Sequence, residues 1–278
     1  MSRVPFSPVR VMLIAHNTLL EAMRQKLFVV LVLLALGLVV GARWLRDFNF
    51  GAPELKFLAD CGFGTIAFFG PAVVIAATAQ LFFGEIENRT ALTLLAKPVW
   101  RTEFLLGKFF GVVALAGIFC ALLTGVLAAV LWTRESTLME LLPEAFPQGR
   151  TIRCSAVFVA GAMQWLKLSV LGALTLLVAS YAQTQLFTVV AGFFILVICH
   201  LQYLAQDAYA RGDAVVGRVG GKMLALMFPN FQVFGFVEAQ IASDALPWGH
   251  VARVVPYGLC YIAAALALAV VCFRQREI

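Results

Sequence analysis

Five stretches of this chain contain no Asp, Glu, Lys or Arg: residues 27–42, 61–84, 109–133, 168–206 and 254–273. A hydrocarbon slab about 30 Å thick takes about 20 helical residues to cross, so runs of this length and composition belong in a bilayer. The fourth run is too long for one crossing, and Gln183-Thr184-Gln185 divides it near its middle. Six spans follow, at about 27–45, 61–83, 109–132, 163–182, 185–205 and 252–273. Backbone groups in hydrocarbon must be paired within their own segment, so the spans are read as helices, and the alternation of a membrane β-barrel is absent. The fold class expected is an all-α, polytopic membrane protein. No fixed-period repeat or low-complexity linker divides residues 1–278, which are read as a single transmembrane domain.

Composition narrows the function. With 62% hydrophobic and 13% charged residues, the net charge of +6 cannot form the broad basic face that nucleic acid requires. The excess Lys and Arg is read instead as loops holding helix ends against lipid headgroups. Loops on the side of the termini (1–26, 84–108, 182–184, 274–278) carry ten Lys and Arg in 59 positions, against eight in 84 on the other side. The denser side is expected to be cytoplasmic, although Arg43, Lys167 and Arg253 at the opposite interface reduce the contrast. The first apolar run ends in Gly41-Ala42-Arg43-Trp44 with no cleavage signature, so it reads as an anchor. Six scattered cysteines lack metal-site spacing and read as small apolar fillers, with a Cys61–Cys154 bridge left open.

Two segments flank the early spans. Residues 8–26 set Val9, Met12, Leu13, Leu19, Leu20 and Met23 largely on one face and Arg10, Asn17, Glu21 and Arg24 on the other, the pattern of an interfacial helix. Residues 84–108, between spans two and three, pair Glu85 with Arg89 at i,i+4 and continue an apolar side through Leu92 and Leu95 to a break at Pro98. A second short helix is expected from there into span three. A hairpin charged on one side and apolar on the other, at the mouth of two spans, suits a docking surface for a soluble protein.

Within that hairpin Glu87, Thr90, Leu94, Leu95, Pro98, Arg101, Gly107 and Lys108 form a run that resembles the ABC-2 family of ATP-binding-cassette permeases. Among its members the run is most similar to permeases of the nitrous-oxide-reductase maturation and gliding-motility type. Arg89 stands where family members often carry Gly. The resemblance implies an interfacial amino-terminal helix, six spans, and a cytoplasmic coupling helix between spans two and three that seats in a separate ATPase. It assigns the coupling contact to Glu85, Glu87, Arg89, Thr90, Lys97, Pro98, Arg101 and Lys108. The partners it implies are an ABC ATPase subunit, a second permease as homodimer or heterodimer, and membrane lipids. The location it implies is the plasma membrane.

The chain has no phosphate-binding loop; Gly220-Gly221-Lys222-Met223 lacks both the leading Gly and the hydroxyl. No cofactor is therefore assigned to it, and ATP is expected on the partner. No nucleophile–base or paired-carboxylate arrangement and no metal set is legible, so it is not read as an enzyme. Two rivals remain. An ion-coupled secondary transporter is expected to carry acidic groups in its spans, and the charge-free runs have none. A membrane-embedded enzyme or assembly factor needs a polar cluster at an interface. Gln164, Lys167, His200, Gln202 and Tyr203, near the ends of spans four and five, are the polar groups at depth. They are read as structural, Lys167 snorkelling and His200 bonding a carbonyl. Residues 206–250 are read either as a re-entrant hairpin, as the resemblance implies, or as a plain loop with an interfacial helix.

Overall fold

The computed structural model describes residues 6–44, 54–87, 100–146, 150–211, 223, 226–241 and 246–275, except for the side chains of 85–87, 145 and 205–211. Eight helices follow in chain order: α1 (Pro8–Met23), α2 (Lys26–Gly41), α3 (Glu54–Glu87), α4 (Arg101–Leu141), α5 (Cys154–Tyr181), α6 (Gln185–Arg211), α7 (Phe236–Ala239) and α8 (Trp248–Gln275). No strand occurs among the described residues. Five helices are long and apolar enough to cross a membrane, and α1 with α2, bent by 67° at Arg24-Gln25, makes a sixth crossing if taken together. The expected all-α membrane architecture is thus the observed one.

Five of the six predicted spans fall on helices that run longer, whereas the first, read as 27–45, is helical only over Lys26–Gly41 and reaches spanning length only together with α1. The segment read as 61–83 is part of Glu54–Glu87, and 109–132 is part of Arg101–Leu141. Absence of charge marks only hydrocarbon depth, whereas helical hydrogen bonding continues through charged turns in the headgroup layer and beyond. At 1.5 Å per residue α4 is about 60 Å long, twice the thickness of the hydrocarbon core. The second short helix expected after Pro98 is accordingly not separate: from Arg101 onward it is the first part of α4. The break between α5 and α6 falls where Gln183-Thr184 predicts it, with the Thr184 hydroxyl accepting from the Phe187 N–H. α3 passes through Pro71 and α8 through Pro256 without interruption of the helix.

α5 is the central element, packed by α3, α4, α6 and α8. Of its apolar window 78% is buried, against 22% for α6 and α8, so α3, α4 and α5 make the core while α6 and α8 present most of their surface to lipid or a partner. Several hydroxyls within the spans are satisfied by their own helices: Thr78 donates to Val74 O, Ser169 to Trp165 O and Thr175 to Leu171 O, whereas the buried Thr124 hydroxyl has no partner. All six cysteines are free, so Cys61 and Cys154 do not pair.

Charged pairs tie the helix ends on the face away from the termini. Arg134 on α4 forks onto Glu54 at the start of α3, at 2.6 and 3.1 Å. Glu135, 1% exposed, accepts the backbone N–H groups of Thr151 and Ile152 at 2.6 and 3.0 Å. Arg150 reaches Ser136 Oγ and lies 3.2 Å from the Trp132 ring centroid.

Candidate functional site

On the face that carries both termini, α1, the end of α3, the start of α4 and the end of α8 converge. This is where the 84–108 segment leaves one span and enters the next. Of the residues assigned to coupling, Glu85 and Glu87 fall in the last turn of α3, with side chains outside the described residues. Arg89, Thr90, Lys97 and Pro98, and with them the expected coupling helix, lie wholly outside the described residues. Arg101 and Lys108 are described, and both turn toward the helix bundle.

Arg101 donates from Nη1 to the carbonyls of Phe273 and Arg274 at 3.2 and 3.1 Å. Those carbonyls are among the last of α8, where a helix lacks internal donors and its dipole favours a cation. Arg101 therefore caps the last span while standing at the root of the coupling segment. Lys108, 2% exposed, places its Nζ 5.7 Å from the Phe104 ring centroid. Beneath these cations Phe82 of α3, Phe104 of α4 and Phe273 of α8 form a buried aromatic cluster. Phe104 stacks on Phe273 at 6.0 Å, and Phe82 meets Phe273 edge-on at 5.6 Å.

Glu103 completes the junction. Fully buried, its Oε1 accepts from Ser7 N at 2.7 Å and from Arg10 Nη2 at 2.8 Å, and its Oε2 accepts from Trp100 N at 3.1 Å. The last bond is half of a capping box, a glutamate three residues into the helix returning to the N-cap N–H. The first two fasten α1. The sequence reading placed Arg10 on a solvated face; instead it is drawn inward, because Glu103 offers a buried carboxylate one helix away.

α1 docks through its small side. A Cβ on Gly107 would fall 2.6 Å from Ile14 and 3.1 Å from Val11 O, and one on Gly111 would fall 2.6 Å from Thr18 and 2.9 Å from Ala15 O. These two glycines, one turn apart, let the helix backbones approach as small residues do in lipid. The other side of α1 exposes Val9, Met12, Leu13, Leu20 and Met23, which agrees with the interfacial helix read from the pattern. The sequence reading missed Glu103 and the glycine pair. Their signals were present, as a glutamate at the third helical position and as Gly107-x-x-x-Gly111.

The opposite face carries a second constellation. Residues 231–235 form a 3-10 turn that leads into α7, and Phe231, Phe234, Val237 and Ile241 are all buried. These four side chains pack residues 231–241 onto α5, α6 and α3. Gln164 Nε2 donates to Glu238 on α7. Lys167, 5% exposed, lies with its Nζ 5.9 Å from the Phe231 ring, buried and not snorkelling as expected. His200 bonds Leu196 O at 3.0 Å, as the sequence reading had it, and its ring meets the edge of Phe231. Behind α7 lies a cavity of about 280 Å³, lined by Glu54, Asp60, Phe146, Ile152, Glu238 and Ile241 among others. A larger apolar crevice of about 720 Å³ separates α5, α6 and α8, with Leu226, Met227 and Phe228 along it.

Helices long enough to span, with an amphipathic helix docked at one face and residues 231–241 buried against the bundle at the other, define a multi-pass membrane protein. A family model described as ABC-2 family transporter protein matches residues 12–278, and the chain belongs to that family. It is the membrane-spanning permease part of an ABC transporter. No curated protein matches the chain significantly.

Proposed function

We propose that this permease seats an ABC ATPase on its 84–108 segment and exports its substrate across the plasma membrane as the ATPase closes on nucleotide. ATP is bound by the partner subunit, both termini and residues 84–108 are cytoplasmic, and a second permease, identical or related, completes the path. Glu85, Glu87, Arg89, Thr90, Lys97 and Pro98 supply the docking surface, while Arg101 and Lys108 root it in the bundle. The observation that carries this reading is the pair of hydrogen bonds that Arg101 donates to the carbonyls of Phe273 and Arg274 at the end of α8. A push on the segment is thereby delivered to the final span as well as to the two spans it connects. Rigid elements with buried contacts transmit such displacements because packed cores do not deform continuously.

The test separates docking from transmission. Co-purification of the cognate ATPase falls at least about tenfold for Glu87→Ala with Lys97→Ala, given the roughly 2–5 kcal/mol lost when one half of a desolvated charge pair is truncated. Arg101→Ala keeps the ATPase bound but loses permease-stimulated ATP turnover. Full association and turnover in the first variant, at normal membrane yield, refutes the docking role; normal stimulation in Arg101→Ala refutes transmission through α8.

A further inference from the structure

The pair formed by Gln164 on α5 and Glu238 on α7 is not explained by ATPase coupling, since it lies on the face away from the 84–108 segment. Three observations bear on it. Gln164 Nε2 donates to Glu238 Oε1, while Gln164 Oε1, buried with a side chain 2% exposed, has no hydrogen-bond partner. The two polar atoms of an amide share one carbon, so the orphan acceptor lies beside the carboxyl group that its N–H meets. A carboxylate has no proton to give that acceptor, whereas a carboxylic acid has an O–H that can donate to it.

The charged surroundings are mixed. From α3, Glu54, Lys56 and Asp60 line the adjoining cavity, with Glu54 already forked by Arg134. From α5 comes Lys167, whose charge acts on Glu238, and from α6 His200, whose ring lies against Phe231. From α8, His250 bonds Val233 O within the same hairpin. Burial pushes the Glu238 carboxyl up to about 7, helped by Asp60 and opposed by Lys167 and by the Gln164 bond. The carboxylate is favoured by Lys167 and by the Gln164 N–H, whereas only the acid carries a proton that Gln164 Oε1 could accept.

We propose that Glu238 with Gln164 is a proton-binding site that latches the 231–241 hairpin into the bundle. A proton taken from the solution on that face gives Gln164 Oε1 the donor it lacks, and its return to solution leaves that acceptor orphaned and a charge buried, loosening the segment over the cavity. No electron transfer or other group is involved.

The sign follows from linkage. A carboxyl whose folded value is raised from 4.5 to about 7 gives stability that is complete below the lower value and lost as pH rises through the upper one. Hydrogen-exchange protection of 231–241, normalised for intrinsic exchange, is measured on the full chain in nanodiscs. Wild-type protection falls by about two orders of magnitude between pH about 5 and pH about 8. Glu238→Gln, which keeps a neutral hydrogen-bonding group, is protected throughout with no such step. A flat wild-type profile, or an unchanged step in Glu238→Gln, overturns the proposal. If Glu238→Gln does not accumulate, Lys167→Met decides, because removing the cation must move the midpoint upward; an unmoved midpoint overturns the latch.

Discussion

Removing the Glu103 carboxylate by Glu103→Ala tests whether α1 is held by charge or merely by apolar contact. The side chain is fully buried and accepts three bonds, two from α1 and one from Trp100 N. Truncating one member of a buried ion pair costs about 3–5 kcal/mol where the other stays buried. Arg10 retains 23% side-chain exposure, so it can turn back toward water, which discounts that figure to roughly 1–2 kcal/mol. The N–H of Ser7 loses an acceptor at 2.7 Å, adding about 1 kcal/mol. The sum for α1 is about 2–3 kcal/mol, or roughly 30- to 160-fold in the docking equilibrium at 1.36 kcal/mol per decade.

Glu103→Gln keeps the size and one acceptor but loses the charge, and costs about 1 kcal/mol, roughly fivefold. The assay is hydrogen exchange of residues 8–23 against residues 154–181 of the central helix. Protection of 8–23 falls in the order wild type, Gln, Ala, while α5 is unaffected. Loss below about fivefold in the Ala variant, or equal loss in α5, refutes the reasoning.

Gly111→Val sets a branched side chain against Ala15 O, which a helix backbone cannot yield, and costs about 1–3 kcal/mol with loss of α1 protection. Gly64→Ala, where nothing lies within 4 Å, is neutral or slightly stabilising by the same measurement. Glu135→Gln weakens the clamp on Thr151 and Ile152 by about 1–3 kcal/mol, and tryptic cleavage after Arg150 accelerates several-fold. An unchanged cleavage rate counts against the clamp.

The spans were legible because lipid imposes one rule everywhere: runs without charge, long enough to cross, must be helices. The break at Gln183-Thr184-Gln185 was legible for the same reason. What periodicity could not convey is which charged residues turn inward. Arg10, Glu103 and Glu135 sit in ordinary-looking polar turns, and only tertiary placement shows that each carboxylate collects donors from another segment. Lys167 reads as a snorkelling residue in isolation, since its stem is long enough to reach an interface. It stays buried because Phe231 of a hairpin 64 positions later covers it. Glu238 gave no sequence signal at all, being one acid in a long apolar and aromatic stretch.

α8 joins the two constellations that the fold otherwise keeps apart. At one end its carbonyls take Arg101 and its Phe273 enters the aromatic cluster of α3 and α4. About 18–24 Å away, at 1.5 Å per residue, Tyr261 donates to Leu226 O at 3.3 Å and Tyr257 accepts from Asn230 N at 2.9 Å, so the same helix holds residues 226–230 toward the opposite face. Little of α8 is buried between those attachments, and its flank on α5 includes Gly258 against Leu166, a contact with side chain and not with backbone. Because α8 also packs on α5 along one flank, through Val254, Gly258, Ala265 and Ala269, a displacement at one end is carried along that packed flank. α6 has no such pair of attachments among the described residues, although it is equally exposed. Under the proposed coupling, displacement at the root of the 84–108 segment would reach residues 226–241 through α8, where the proposed protonation of Glu238 would set how firmly they resist it.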